Sequence, residues 1–517
     1  MRHIRHFLIA IVCTVCIEGF AQQPPFSHIE INNVRATIRG DGTTFVPQRE
    51  IYYEEWDDYH NSCTTWEVPL GSGKETVFQH CFWLGGLDTS DSLHLAAFKY
   101  GQVGVDYYSG PLKTSDASID FMTSLKYHHI WNITQTEITQ FIANNGHLGY
   151  EIPEDIRTWP AHGSNGCATN LAPFVDVNGD GRYNPEDGDY PDIKGDQCLF
   201  FIFNDMFGLH TESGGAQLGV EVHAMVYAYE APNDEALNNT VFFNYKMFNR
   251  SSNNYHDTYI GLWTDWDIGY GRDDFVGCDV RRGSCFAYNG TTIDGNGQPW
   301  EYGDNPPVQV CTVLAGPFMD ADGRDNPAYN GDCNALFNEA HPLDKYAYNG
   351  YNFGNGIADD ERLGMCGFMY HNYSQAVNGD PDTAPEFYNY LRGIWKNGAK
   401  MRYGGNAFSG EGVVGPECNF MFPGDTDPCN FGTEGMAPSG GYNTNGKYWT
   451  EEECGNTPDE GRLGLAMVGP FSFPAGSMQE LDYAMITVWK NNTQSAMERK
   501  GAFIDHIRSL FNNGFAK

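Results

Sequence analysis

Basic residues are scarce in this chain: 31 Lys and Arg stand against 67 Asp and Glu in 517 residues, a formal net charge of −36. That balance excludes binding to nucleic acid or to anionic membrane, since both partners demand clustered positive charge. Long apolar runs are missing as well. Phe7 to Ile17 is too short to span a bilayer and no later stretch reaches that length, so no membrane insertion is expected. Three chemical signatures are absent, His-Glu-x-x-His, Gly-x-Ser-x-Gly and a glycine-rich phosphate loop, and Cys-x-x-Cys does not occur after residue 21. Catalysis is therefore not indicated by motif. Helical periodicity is rare, and neither an internal repeat nor a Pro/Ser-rich linker divides the sequence.

The chain opens like a secretory leader. Met1 to His6 is basic, Phe7 to Ile17 is apolar, and Gly19-Phe-Ala21 offers the small residues that a signal peptidase reads, so cleavage is expected after Ala21. Of fourteen cysteines, Cys13 and Cys16 fall in that leader. An even number remains, which in an exported chain points to disulfides. Cys278 with Cys285, and Cys418 with Cys429, are near enough in sequence to bridge, with other pairings and free thiols left open. Aromatic residues make up 14% of the chain, enough to build a core and exclude disorder.

The sharpest motif is Asp176-Val-Asn-Gly-Asp-Gly-Arg-Tyr-Asn-Pro-Glu-Asp187. It sets oxygen-bearing side chains at positions 1, 3, 5, 9 and 12 of a twelve-residue loop, with Gly181 at position 6 for the sharp turn that a Ca²⁺ loop requires. Asp176, Asn178 and Asp180 are expected to bind through side chains and Arg182 through its carbonyl. Asn184 would act through water, and Asp187 would close the shell. Pro173 precedes the loop and Gly188-Asp-Tyr-Pro191 follows it, so neither flank can be a regular helix. The expectation is an EF-hand-like loop without its helices, a clamp more than a sensor.

Asp320, Asp322 and Asp325, with Gly323 in the turn, form a second Ca²⁺ candidate. The stretches Asn355 to Glu361 and Asp425 to Asp427 are weaker ones. Asp265 and Asp267, followed by Asp273, Asp274 and Asp279, read as a polar rim in preference to a shared site. His210 with Glu212, and Glu221 with His223, have metal-ligand residue types two apart, but satisfied polar groups are the commoner explanation. Trp263 and Trp266 are the best candidates for a sugar-stacking platform, ahead of Trp300, Tyr302 and Trp395.

Strand signals dominate. Phe78 to Gly85, His94 to Tyr100, Cys198 to Phe203, Leu218 to Tyr229, Thr240 to Asn249, Thr258 to Asp265, Gly464 to Val468 and Leu481 to Trp489 are aromatic and β-branched runs between polar turns. Helices are expected over Thr134 to Asn144 and Thr493 to Phe511. The fold class is mainly β: an antiparallel β-sandwich-like core with long Ca²⁺-stabilised loops and a few short helices, one at the C-terminus. The expected regions are a signal peptide (1–21), an N-terminal β-rich part (22–160), the calcium loop with core sheet (161–290), long loops (291–460), and closing strands with a helix (461–517). Residues 22–517 are read as one compact module or several.

A series of motifs resembles a family of large exported proteins of the Bacteroidota, many of which end in a type IX secretion sorting domain. They are Phe82-Trp-Leu-Gly-Gly-Leu87, Leu93-His-Leu-Ala-Ala97, Gly110-Pro-Leu112, Leu171 to Pro185, Gly188 to Gln197, Phe203-Asn-Asp205 and Leu237-Asn-Asn-Thr240. Tyr259-Ile-Gly-Leu-Trp263, Val276-Gly-Cys-Asp279, Asp359 to Met365 and Phe420-Met-Phe-Pro-Gly-Asp425 complete the series. The resemblance implies a secreted or surface location, extracellular or periplasmic, and a calcium-binding role for the Asp-x-Asn-x-Asp-Gly loop. It implies no catalytic residue. Longer members continue beyond the region of Leu510 to Gly514. A stand-alone module, a truncated relative and a periplasmic form are the expectations for this sequence.

These features lead to an exported Ca²⁺-binding module that works by binding, in adhesion or in capture of a glycan or a surface protein. The alternatives are a secreted polysaccharide hydrolase using a carboxylate pair and a structural component of the cell envelope.

Overall fold

Alternation of apolar residues sets the layers. In the strand Gln197–Asn204, Leu199, Phe201 and Phe203 enter one core while Cys198, Phe200 and Ile202 enter another. The strand Met478–Val488 repeats the pattern, with Leu481, Tyr483 and Met485 on one side and Ala484, Ile486 and Val488 on the other. Side chains of a strand point alternately to its two faces, so both faces of this sheet are covered. The computed structural model describes residues 24–44, 65–99, 101, 104–374, 376–438, 447–458 and 461–515. The leader, with its expected cleavage at Ala21, and Cys63 lie outside the described residues.

The protein is mainly β, built from antiparallel sheets. One sheet runs in the order Asp274–Asp279, Ser284–Asn289, Val308–Ala315, Met478–Val488, Thr240–Asn249, Val220–Ala228, Gln197–Asn204. The other runs Phe26–Ile29, Arg35–Arg39, Thr43–Thr44, Val77–Leu87, Tyr255–Trp266, Arg462–Phe473, Gly367–His371. Val222, Phe243 and Tyr483 of the first sheet share a core with Val77, Leu262 and Trp266 of the second, which makes the pair a sandwich. Strands from regions 22–160, 161–290 and 461–517 alternate within the second sheet.

Each sheet has a different outer cover. On the first sheet, Phe141 of the helix Gln135–Asn144 and Phe503, Ile504 and Ile507 of the helix Ala496–Asn512 join the outer core. Both expected helices form, the first capped at Thr134 and the second starting at Ala496, three residues after the expected Thr493, and each begins on a capping box. Thr134 accepts from Glu137 N–H and Ser495 from Glu498 N–H, and each Glu reaches back to its cap. On the second sheet the cover is the loop-rich stretch. Phe387 stands edge-on to Trp83 with ring centres 5.0 Å apart, and Trp83 stacks with Trp263 at 6.4 Å.

That stretch is more ordered than the sequence implies. Val308–Ala315 is a central strand, Gly367–His371 an edge strand and Ala384–Tyr390 a helix. The strands Asp274–Asp279 and Ser284–Asn289 were also not apparent in the sequence. Val308–Ala315 is buried on both faces, so it carries no alternation to detect. A disulfide, Cys333–Cys429, ties loops that are 96 residues apart. It displaces the expected Cys418–Cys429 pairing, and Cys418 remains a buried thiol. Cys278 and Cys285 do face each other across two strands, as free thiols.

Candidate functional site

The Asp176–Asp187 loop is wound by the side chains expected to bind. Asp176 Oδ1 accepts from Gly179 N–H at 2.7 Å, and its Oδ2 from Gly181 N–H at 2.7 Å. Asn178 Oδ1 accepts from Asp180 N–H at 2.9 Å, and Asp180 Oδ1 from Arg182 N–H at 2.8 Å. Gly181 has a φ of 76°, a conformation that favours glycine. The second half is arranged differently. Asn184 Nδ2 donates to Asp187 Oδ2 at 2.6 Å, so these two turn toward each other.

As the flanking residues require, no helix borders the loop. Phe174–Val175 pairs with Tyr190–Pro191 to close its neck. The residue that holds both halves together was not among those expected to act in the loop. Asp189 is fully buried, and accepts from Val177 N–H at 2.8 Å and from Asn184 N–H at 2.9 Å. Tyr183 anchors the loop from outside, donating through its hydroxyl to Ile156 O at 2.6 Å and through its N–H to His162 Nε2 at 3.0 Å. The donor set is all oxygen on a short flexible loop, which fits Ca²⁺. Among the described residues, however, no three His, Cys, Asp or Glu side chains are gathered as a metal shell.

Asp320, Asp322 and Asp325 do not converge on one point. Asp320 accepts from Ser472 N–H and Oγ at 2.8 and 2.9 Å. Asp325 accepts from Gly354 and Gly356 N–H at 2.9 and 2.8 Å. Asp322 accepts from Asn326 Nδ2 at 3.1 Å, and that amide also donates to Asp344 at 2.9 Å. The fold sets this turn against the Asn355–Glu361 stretch, where Asp359 accepts from Asp322 and Gly323 N–H, both at 2.8 Å. Asp427 caps the turn at Phe431 and Gly432.

The histidine pairs are interior structure. His210 lies between Leu95 O at 2.7 Å and Asp205 O at 2.8 Å. Glu221 is fully buried and accepts from His223, Arg250 and Leu112 N–H. The tryptophan platform is ruled out by burial. Trp263 and Trp266 are both 0% exposed and Trp395 is 1% exposed, so none of these rings can stack on a sugar.

The expected polar rim is also corrected. Asp265 and Asp274 are interior groups, and so is Glu75, which the sequence did not single out. The backbone explains the gathering. After the strand Tyr255–Trp266 ends, Asp267 N–H still donates to Thr76 O at 3.2 Å and Gly269 N–H to Glu75 O at 3.0 Å. Asp274 then folds back, its Oδ2 accepting from Ile268 N–H at 2.8 Å. Asp265 Oδ1 accepts from the Tyr373 hydroxyl at 2.9 Å. Burial, followed by repulsion from Asp267, pushes the Glu75 carboxyl up to about 8. Burial pushes Asp267 up to about 7, and Asp265 and Asp274 well above the carboxylate range. Asp279 stands apart, paired with Arg282 at 3.0 Å.

Comparison with protein-family models and with curated proteins finds no match to this chain.

Proposed function

We propose that the protein is an exported, Ca²⁺-stabilised β-sandwich module of the Bacteroidota surface type that works by binding, in adhesion or in capture of a glycan or protein. The observation that supports this reading is the wound half-loop from Asp176 to Arg182. Its three side chains each spend oxygen lone pairs on backbone N–H groups and keep others to offer to a hard cation. A ribbon closes the neck, so an ion there would stiffen the loop without swinging a helix. No helix among the described residues is long and apolar enough to cross a membrane.

Thermal unfolding of residues 22–517 in Ca²⁺ and in chelator tests the metal half of the reading. Ca²⁺ at a hundred times its Kd should add about 2.7 kcal/mol per site. The Asp176→Ala/Asp180→Ala variant should lose that gain. A missing gain, or one that the variant keeps, sinks the loop as a calcium clamp. An array of glycans and matrix proteins, probed with the Ca²⁺-loaded protein, tests the binding half. A blank array counts against it.

A second reading, a secreted polysaccharide hydrolase, has one observation in its favour. Asp267 is only partly buried, its carboxyl is pushed up to about 7, and it is near buried Asp265. A carboxyl poised near neutrality suits general acid–base work. Turnover on a polysaccharide panel, lost in Asp265→Asn, would establish it.

A further inference from the structure

We propose that the peptide bond between Asp380 and Pro381 cleaves itself, with the Asp380 side chain as nucleophile and Lys396 as the group that polarises the carbonyl. The chain has two Asp–Pro bonds, this one and Asp427–Pro428. A proline nitrogen is a tertiary amide, and it leaves as a secondary amine once it takes a proton. The first observation is how the bond is held. Three successive carbonyls are gripped by side chains: the Tyr390 hydroxyl donates to Gly379 O, Lys396 Nζ to Asp380 O at 2.6 Å and Lys99 Nζ to Pro381 O at 2.7 Å. Asp380 N–H donates to Ser374 O at 3.0 Å, which fixes the other side of the residue. The Lys396 ammonium thus sits where negative charge develops when the Asp380 carbonyl is attacked.

The second observation is the carboxyl itself. Asp380 is 7% exposed, yet its Oδ1 has no hydrogen-bond partner. His371 Nδ1 lies 3.1 Å away but makes no hydrogen bond with it, and His371 Nε2 is taken by the Trp263 indole N–H at 3.2 Å. Asp427 is the internal contrast. Its two oxygens accept from Phe431 and Gly432 N–H, each at 2.8 Å, so that carboxyl is already occupied.

In the step, a carboxyl oxygen of Asp380 bonds to the carbonyl carbon of the same residue, and the carboxyl proton passes to the Pro381 nitrogen. The C–N bond then breaks, leaving a cyclic anhydride on Asp380 and a free Pro381 amine. Water opens the anhydride, so Asp380 becomes a new C-terminus and the net change is the addition of water. Because the proton comes from the carboxyl, cleavage quickens as pH falls. The titratable groups facing the carboxyl are His371, Asp265 and Tyr390, with Lys396, Lys99 and Asp382 along the backbone beside it. The cut falls between the edge strand Gly367–His371 and the helix Ala384–Tyr390. Arg462–Phe473 and Met478–Val488, which follow it, pair with strands that precede it, so the two pieces stay one folded body.

The test is intact mass measurement, under denaturing conditions, of the full chain after several days in mildly acidic and mildly alkaline buffer. It needs no ion or ligand, so its outcome is independent of the calcium reading. Native protein should give two pieces, one ending at Asp380 and one beginning at Pro381, faster in acid and with Asp427–Pro428 whole. Before denaturation the pieces should elute together. Asp380→Glu, which lengthens the arm to the carbonyl, should stop the cut. Lys396→Met should slow it roughly a hundredfold, the cost of losing one donor to a developing oxyanion. The same acidic buffer with urea is a control that needs no variant: unfolding takes Lys396 from the carbonyl, so the preference for Asp380 over Asp427 should vanish. No cleavage of the native chain, or equal cleavage at both bonds with and without urea, overturns the proposal. A wild-type rate in Lys396→Met overturns the role of the lysine.

Discussion

His80 on one sheet meets Tyr483 on the other: its Nε2 lies 3.1 Å from the Tyr483 hydroxyl, and its Nδ1 lies 2.9 Å from Thr264 Oγ1. This is a polar contact through the middle of an apolar sandwich, and it fixes how the two sheets sit against each other. Burial holds the imidazole neutral, pushing it down to about 3. Tyr483→Phe removes the hydroxyl and keeps the ring, so the expected loss is about 1 kcal/mol. A lower urea midpoint at unchanged m-value checks it. An unchanged midpoint would mean that the contact carries no net stability.

Asp189 is the residue on which the calcium loop depends mechanically. It accepts one N–H from each half of the loop while fully buried, so its loss frees both halves at once. Asp189→Ala should cost about 3 kcal/mol, from two hydrogen bonds to a charged acceptor. It should also reduce the Ca²⁺-dependent rise in melting temperature more than Asp187→Asn does. Equal effects of the two variants would show that Asp187 holds the ion as firmly as Asp189 holds the loop.

The sequence made most core strands and both longer helices visible, because those elements carry a recognisable residue pattern. Thr240–Asn249 was legible end to end, and apolar spacing located both longer helices, the second to within three residues of its start at Ala496. Val308–Ala315 was not legible: a strand buried on both faces has no alternation, and its neighbours in the sequence are irregular. The half-loop from Asp176 was legible from spacing alone. The cluster at Glu75, Asp265 and Asp274 was not, since Glu75 reaches it only through the pairing of Val77–Leu87 with Tyr255–Trp266. Trp263 misled for a related reason. Its neighbour Asp265 suggests solvent, and only the covering loops reveal that both are inside.

The Cys333–Cys429 bond is a test of whether the covering loops need a tether. It closes a span of 96 residues, for which the chain-entropy account gives about 4 to 5 kcal/mol. Cys333→Ser/Cys429→Ser should therefore lower the melting temperature. Reductant should do the same to the wild type and nothing more to the variant. A wild type indifferent to reductant would mean that packing of Phe387, Leu391 and Trp395 holds the cover without the bond.

Stability against pH separates the carboxylate cluster from the rest of the protein. Glu75 moves from 4.5 to about 8 on folding, and Asp267 from 3.8 to about 7. Their folded forms keep protons that the unfolded chain has released, so their contribution is full at acid pH and lost as pH rises through the folded values. His80 works in the opposite direction, because a group depressed from 6.5 to about 3 destabilises the fold as pH falls below 6.5. Above 6.5 that opposing slope is gone. In chelator, the unfolding free energy should then fall as pH rises from about 6.5 to about 8, and Glu75→Gln should flatten the fall. A slope equally steep in Glu75→Gln would locate the titrating group elsewhere, with His210, pushed up to about 9 by Asp205, the first to substitute.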